Sequence, residues 1–320
     1  MHTTHSLVLS VFALQASAHG VVTMIKGANG VNMPGLSVAD GTPRDCSTNR
    51  CGSQADTAII RDREIRSGEV GPLGRTQGNG PIDAATMIAN FMGAGTAPTN
   101  NGANSSVGVE DNINTAAIGS GRNRNQQRST LVVARQFLKG LLGGGGGGAG
   151  AAGGAGGFLS GLTGGGGTAS SGSETNVAAT AGKGASSGLP TSGDDGSIEM
   201  VFHQINQDGA GPLTAAIDPT SGGTQASAFQ TAEVTQDVPG IGVQGLSLAT
   251  NRDFPLTVKM PAGMTCEGTV AGVSNVCVVR VRNGAAAGPF GGSAAFTQSS
   301  AARKRAIEYR LKRRALGFTA

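Results

Sequence analysis

The chain has 320 residues, a formal net charge of +4, 55 glycines, ten phenylalanines, one tyrosine and no tryptophan. Glycine lies far above its usual share of about 7%, and aromatic residues make up only 3% of the chain, which together exclude a uniformly packed globule. The glycines have no Gly-X-Y period, which excludes collagen, and no second apolar stretch is long enough to span a bilayer.

Residues 1–18 have the pattern of a secretory signal peptide. A short apolar run over residues 7–14 precedes Ala16-Ser17-Ala18, which offers small residues at the positions that a signal peptidase reads. We therefore expect a secreted protein, extracellular or at the cell surface. Cleavage after Ala18 removes two of the four histidines, so that the mature chain would begin at His19 and keep only His203 besides it.

The cysteine count agrees with export. The four cysteines are Cys46, Cys51, Cys266 and Cys277, and an even number in an exported protein favours disulfides. Three pairings are open. We favour Cys46–Cys51 and Cys266–Cys277, because short loops close most easily. A zinc site is disfavoured, since the spacings are not C-x2-C and no histidine is near either pair.

The first half of the mature chain leads into a long insertion. Residues 19–25 predict a strand rich in β-branched residues, and residues 81–92 predict a helix with proline in its first turn. Residues 121–139 are basic, and glycine occupies 17 of the 28 positions from 140 to 167. Such chain cannot bury enough apolar surface to offset its ordering entropy, so we predict a flexible insertion over residues 121–194.

Strand patterns dominate after the insertion. Residues 197–204 alternate, with Glu199, Val201 and His203 on one face and Met200 and Phe202 on the other. Further strands are predicted at residues 256–260, 276–282 and 293–298. Short strands separated by turns favour an all-β fold, an immunoglobulin-like β-sandwich with long loops and a short helix. One discontinuous domain would comprise residues 19–120 and 195–298.

The tail, residues 299–320, predicts a basic helix. It carries seven Lys/Arg and one Glu, a net charge of +6, which leaves −2 for residues 19–300. Ile307, Leu311 and Ala315 form a narrow apolar stripe that we expect to pack on the body. Adhesion of the tail to an anionic polymer or membrane is the alternative. Nucleic acid is not expected as a partner, because the chain lacks interleaved aromatic residues.

The two remaining histidines suggest a metal site. A histidine at the chain start offers its α-amine and ring Nδ1 to one metal, and the imidazole of His203 would complete a set of three nitrogen ligands. Nitrogen ligands in a tetragonal arrangement suit Cu(II). The α-amine is able to lose its proton to a metal near neutral pH. The competing interpretation is that each histidine is an ordinary strand or terminal residue.

Four stretches carry a family resemblance: His19-Gly20-Val21-Val22, IIRDREI at 59–65, FHQINQDGAGP at 202–212 and AGPFGG at 287–292. They resemble the fungal Egh-type virulence factors, secreted and often appressorium-associated proteins. The start at His19 and the stretch after His203 also resemble chitin-active lytic polysaccharide monooxygenases, which are copper-dependent immunoglobulin-like sandwiches. This resemblance maps the copper-ligating histidines onto His19 and His203.

The resemblance to the monooxygenases also implies an aromatic residue axial to copper and a Gln or Glu nearby. Phe296 and Gln298 share one strand face and are candidates, as is Glu199, although Phe296 also suits a plain core position. Phe296 would block the axial side, and Gln298 or Glu199 would orient the oxygen species.

Three functions compete at this stage. The first is a copper-dependent oxidation of cell-wall or host-surface polysaccharide by a secreted fungal protein linked to host penetration. The second is a non-catalytic adhesion or surface factor, which the scarcity of aromatic residues favours. The third is a hydrolase that uses paired carboxylates among Asp56, Asp62, Glu64 and Glu199, a chemistry decided by their separation.

Overall fold

The structure is a computed structural model that describes residues 19–48, 51–98, 166–207, 209–240, 245–247, 249–285 and 288–317. The predictions for residues 1–18, and for the part of the insertion up to residue 165, lie outside these ranges. All described residues belong to one compact unit, which comprises Met1–Asp111 and Ser160–Ala320.

Antiparallel strands dominate the described chain. They are β1 (Gly20–Lys26), β2 (Asn32–Pro34), β3 (Ala58–Ile59), β4 (Arg75–Thr76), β5 (Gly80–Pro81), β6 (Thr168–Ala169), β7 (Ser197–Gln204), β8 (Thr214–Asp218), β9 (Gln230–Gln236), β10 (Arg252–Lys259), β11 (Gly268–Val270), β12 (Val273–Arg282) and β13 (Phe290–Thr297). The main order is β2-β1-β7-β10-β9-β8-β12-β13-β3-β4-β5; β6 pairs with β10, and β11 with β12. The predicted all-β class is confirmed.

Five α-helices accompany the sheet in the described ranges: α1 (Asp62–Ser67), α2 (Ala84–Phe91), α3 (Asn176–Thr180), α4 (Gly184–Ser187) and α5 (Ser300–Ala315). The Asp83 carboxylate caps α2 by accepting from Ala85 N, and the Ser299 hydroxyl caps α5 by accepting from Ala302 N. The predicted short helix and basic C-terminal helix are thus confirmed. No helix in the described ranges has both the length and the apolar character needed to cross a bilayer.

The sheet curls around one main core. Ile198, Met200 and Phe202 of β7 point into this core, as the alternation predicted, and β10 and β12 line it with further buried valines and leucines. Strands β1 and β13, far apart in strand order, pack face to face: a Cβ on Gly292 would lie 2.6 Å from the backbone nitrogen of Val22. Whether this curled sheet is an immunoglobulin-like sandwich stays a prediction.

Residues 166–194, the last part of the predicted insertion, pack onto the body. Strand β6 and helices α3 and α4 lie here, and the side chains of Val177 and Leu189 are buried in the main core. Glu174 accepts from Arg44 Nε at 3.1 Å. The predicted flexibility is therefore wrong for residues 166–194, because their buried apolar side chains and the ion pair offset the entropy lost on ordering.

Both favoured disulfides are present, Cys46–Cys51 and Cys266–Cys277. The second joins the turn after β10 to strand β12, and both of its cysteines are fully buried. Because all four cysteines are paired, the described chain has no unpaired thiol.

The predicted packing of the α5 stripe on the body is wrong. Ala302 and Ala306 face the body and are buried, whereas Ile307 and Leu311 are exposed. Two hydrogen bonds set this orientation: Arg303 Nη1 donates to Cys266 O at 2.9 Å, and Arg310 Nη2 donates to Thr265 Oγ1 at 3.1 Å. The small alanine side chains allow a close approach that Ile and Leu would prevent.

Candidate metal centre

His19 directly precedes β1, which pairs with β7, the strand that carries His203. In the β1–β7 register Val21 is opposite His203, and Ile205 N donates to His19 O at 3.0 Å, which places His19 opposite Ile205. Position 19 is therefore diagonal to His203 where the register of β1 and β7 continues. Diagonal Cβ atoms in a sheet are about 7–8 Å apart, within reach of two imidazole rings.

Neighbouring residues from other parts of the chain enclose His19. Its side chain is buried, its backbone nitrogen donates to Asn206 Oδ1 at 2.7 Å, and its ring centroid lies 4.1 Å from that of Phe290. Gly209 passes directly beside it, since a Cβ at this position would lie 2.0 Å from His19 O. These contacts explain two residues of the stretch that follows His203: an asparagine at 206, which accepts the hydrogen bond, and a glycine at 209, where a side chain would clash with His19 O.

A carboxylate orients the ring of His203. Asp253 lies opposite His203 in the β7–β10 register, with Oδ1 2.8 Å from His203 Nδ1, and Ser170 Oγ lies 3.2 Å from the same nitrogen. Burial alone would raise the pKa of Asp253, but the hydrogen bond with His203, attraction to the charged form of that ring, the hydrogen bond with Ser170 and the charge of Arg44 lower it overall. The ionised carboxylate only accepts, so Nδ1 carries the proton.

This orientation leaves the other ring nitrogen of His203 available as a ligand. With the proton on Nδ1, Nε2 of the neutral ring carries a lone pair. Nε2 is buried and has no hydrogen-bond partner among the described residues. A histidine whose second nitrogen donates to a carboxylate is the usual arrangement around protein-bound metals. The residues present thus fit a metal ion that binds two imidazoles and one α-amine.

A conventional side-chain metal cluster is not found. Within the described ranges, no group of three or more His, Cys, Asp or Glu side chains is placed to hold a metal ion. The arrangement at His19 and His203 differs in kind, because its third nitrogen would be the amine of a chain that begins at His19. Formation of this site therefore depends on the removal of residues 1–18.

The structure does not bring the three other predicted site residues to the histidines. Phe296 is a core residue opposite Cys277, six positions along β13 from Phe290 and so about 20 Å from it at about 3.3 Å per residue. Gln298 donates to Met264 O at 3.0 Å beyond the end of β13. Glu199 is exposed, four positions along β7 from His203. Phe290 is the aromatic residue that contacts His19.

The carboxylates considered for a hydrolase serve ion pairs instead. Three of them contact arginines in the following pairs: Asp56–Arg44, Asp62–Arg282, and Glu64 with both Arg61 and Arg75. Burial alone would raise the pKa of Glu64, but the hydrogen bonds from the two arginines lower it below its ordinary value. A carboxylate held ionised in this way is not suited to act as a general acid, and the fourth candidate, Glu199, is exposed on β7.

Sequence reasoning missed Asp253, Ser170, Asn206 and Phe290. Asn206 and Phe290 lie inside the stretches that carry the family resemblance, which was the available signal. Asp253 precedes the strand predicted at residues 256–260, and nothing in its local pattern marks it. Only the pairing of β10 with β7 brings Asp253 beside His203.

Comparison with known proteins defines the family. Residues 17–291 match the model of the Egh16-like virulence factors. The chain therefore belongs to the Egh16-like virulence factor family. No solved structure matches it.

Two curated relatives come from the fungus Pyricularia oryzae. The chain is 50% identical over 315 residues to appressoria-specific virulence factor GAS2, an alignment that covers 98% of this chain and 95% of the relative. It is 41% identical over 129 residues to appressoria-specific virulence factor GAS1, covering 39% of this chain and 50% of that protein. A virulence role is thus the family's described character.

Proposed function

We propose that this protein is a secreted virulence factor that binds one copper ion through His19 and His203 and acts at the host surface. The observation that carries the proposal is the buried Nε2 of His203, which has no described hydrogen-bond partner while Asp253 fixes the opposite nitrogen. Leaving a buried polar atom unsatisfied costs about 1–3 kcal/mol, so a ligand at Nε2 would explain why the arrangement is kept.

Each nearby residue has a distinct part in this proposal. His19 would supply its α-amine and one ring nitrogen. Asn206 Oδ1 accepts a hydrogen bond from the backbone nitrogen of His19, and it would accept from the α-amine in the same way. Asp253 and Ser170 hold the His203 ring so that Nε2 faces away from them. Phe290 packs against the His19 ring and keeps water from that side.

Secretion and polysaccharide oxidation belong to the same proposal. The leader-like residues 1–18 and the two disulfides support export. A bound copper ion would supply redox chemistry for oxidation of a sugar C–H bond: dioxygen with two electrons from an external reductant and two protons, or peroxide alone, would give one oxygen atom to the sugar and release the other as water. Cell-wall or host-surface polysaccharide is the proposed substrate, in line with the resemblance to chitin-active monooxygenases.

A specific observation favours the second candidate, copper binding without turnover. Ser170 Oγ lies 3.2 Å from His203 Nδ1, and the Phe290 ring packs against the His19 ring, so protein atoms outside the leader enclose part of each imidazole. A catalytic metal needs an open coordination position, whereas a metal with a structural role is enclosed by the protein. The non-catalytic candidate is a surface or adhesion factor whose copper site would hold the start of β1 to the end of β7.

Copper titration of protein that begins at His19 tests the binding proposal. We expect one Cu(II) per chain, with nitrogen hyperfine structure in its electron spin resonance spectrum. His203→Ala should abolish this site, and Asp253→Asn should weaken it by about 10–100-fold. The matched control keeps Ala18 before His19, which blocks the amine and leaves every side chain in place. Equal copper affinity in the control and the His19-first protein would refute the site.

Turnover is measured separately from binding. The copper-loaded protein is incubated with chitin or cellulose, a reductant and peroxide, and the soluble products are analysed for oxidised oligosaccharides. Oxidised products that disappear in His203→Ala support the enzymatic candidate. Stoichiometric copper binding without such products supports the non-catalytic one.

A further inference from the structure

Helix α5 exposes the large apolar side chains that the body does not bury. In the described chain, the exposed large hydrophobic residues are Ile307 at 40%, Tyr309 at 42%, Leu311 at 58% and Leu316 at 64%. All four lie on α5 or directly after it. Tyr309 also packs beside the turn at Gly263, whereas Ile307 and Leu311, one helical turn apart, form an exposed apolar pair.

The same helix accounts for the positive net charge of the chain. Residues 301–320 have a net charge of +6, while residues 19–300 have a net charge of −2. Lys304 lies three residues before Ile307 and Arg314 lies three residues after Leu311, so that basic side chains flank the apolar pair. Glu308 is the single acidic residue of the helix. Apolar side chains bordered by basic ones are typical of helices that lie in the plane of a membrane surface.

The body fixes which face of α5 points outward. Ala302 and Ala306 are buried against it, and Arg303 Nη1 and Arg310 Nη2 donate to Cys266 O and Thr265 Oγ1. The disulfide from Cys266 ties this turn to strand β12. The apolar pair Ile307 and Leu311 therefore points away from the body in a fixed orientation and needs no rearrangement to meet a partner.

We propose that α5 is an interfacial anchor that places the protein on the surface of a bilayer rich in anionic lipid. Ile307 and Leu311 would enter the boundary between headgroups and acyl chains, and the lysines and arginines would lie among the headgroup phosphates and carboxylates. Each Lys or Arg near such a surface strengthens binding by about fivefold. A soluble polyanion would use the charges alone and would give the apolar pair no role, so the two side chains favour a membrane.

Vesicle sedimentation tests this anchor in the full-length chain, produced with its leader in a secreting host. The vesicles contain phosphatidylserine and phosphatidylcholine at 3:7, and vesicles of phosphatidylcholine alone serve as the neutral reference. We expect binding to the anionic vesicles only, weakened by high salt. Ile307→Ser/Leu311→Ser should weaken binding by about tenfold, since it removes the apolar insertion. Glu308→Gln should strengthen binding by about fivefold.

A matched pair of charge variants tests whether vesicle binding depends on the positive charges of α5 and not on positive charge elsewhere on the protein. Lys304→Gln/Lys312→Gln and Arg63→Gln/Arg66→Gln each remove two exposed positive charges, the first from α5 and the second from α1. Only the α5 variant should lose binding, by about tenfold or more. Circular dichroism and thermal unfolding check that each variant is folded.

Four outcomes would overturn the anchor. These are no binding to the anionic vesicles, equal binding to the neutral ones, equal losses in the two charge variants, and unchanged binding in Ile307→Ser/Leu311→Ser. The last, together with binding to polygalacturonate in solution, would assign the helix to a soluble polyanion instead. The proposal is independent of copper, so His203→Ala should bind the vesicles as the unaltered protein does.

Discussion

The buried ion pairs of Arg44 with Asp56 and Glu174 allow a direct test of how strongly paired charges in the core affect the stability of the fold. Arg44 Nη1 and Nη2 donate to the two carboxylate oxygens of Asp56 at 2.9 and 2.5 Å, and Nε donates to Glu174 at 3.1 Å. All three side chains are nearly inaccessible. Burial alone would lower the pKa of Arg44, but attraction to the two carboxylates raises it overall.

We predict that Arg44→Met lowers the free energy of unfolding by about 3–5 kcal/mol, because it leaves two buried carboxylates without their cation. Such a loss is a large part of the about 5–15 kcal/mol that stabilises a typical domain. Urea unfolding followed by circular dichroism measures it. The matched control is Lys259→Met, which breaks an exposed pair with Asp195 and should cost about 0–1 kcal/mol.

A compensated variant separates the charge effect from lost packing. Arg44→Met/Asp56→Asn/Glu174→Gln removes all three charges, while an amide oxygen can still accept from Ala39 N at position 56 and from Thr175 N and Asn176 N at position 174, so it should recover most of the lost stability. The reasoning is refuted if Arg44→Met and Lys259→Met cost the same. It is also refuted if the triple variant is less stable than Arg44→Met alone.

Three further predictions concern single structural features. Gly20→Ala should destabilise the fold by about 1–3 kcal/mol in urea unfolding, because its Cβ would lie 2.5 Å from the Phe202 ring; an unchanged midpoint would contradict this. Removing the Cys266–Cys277 disulfide by alanine substitution should lower stability by about 2–4 kcal/mol, unless the reduced chain retains compact structure. Asp218→Asn should cost about 1–3 kcal/mol at neutral pH and flatten the acid dependence of stability.

The sign of the Asp218 effect follows from its hydrogen bonds. Burial alone would raise the pKa of Asp218, but bonds from Ser221, Thr220 and Gly223 lower it overall. A carboxylate with a lowered pKa in the folded state stabilises the protein above about pH 4, and this contribution is lost as the pH falls further. Unfolding measured from pH 7 to pH 2 should therefore show a shallower acid loss in Asp218→Asn; parallel curves would contradict the assignment.

Strands with a complete local signal were predicted well. β7 was located with its correct ends because Ile198, Met200 and Phe202 recur at every second position and turn residues follow the strand. β10 was predicted to begin at residue 256 and begins at Arg252, since Pro255 lies within it and obscures the pattern. Pro255 is opposite Val201 of β7, inside the paired part of the strand.

Features that depend on pairing across the sheet could not be predicted. The two histidines could be recognised from their rarity and position in the chain, but the carboxylate that orients His203 comes from β10, fifty residues later. The aromatic neighbour of His19 was expected to be Phe296, whereas the strand register places Phe290 there. The orientation of α5 is set by hydrogen bonds from Arg303 and Arg310 to the turn at Thr265 and Cys266. The apolar pattern of a helix does not predict such bonds.

The attachment of the chain on both sides of the glycine-rich segment has an evolutionary consequence. Helix α2 ends beside Gly182, where a Cβ on Gly93 would lie 3.3 Å from the Gly182 Cα, and Glu174 is held by Arg44. These contacts join residues 19–48 and 51–98 to residues 166–194 through described side chains and backbone alone. Orthologues that differ in length between residues 98 and 166 should therefore keep the close approach of Gly93 to Gly182 and the ion pair of Arg44 with Glu174.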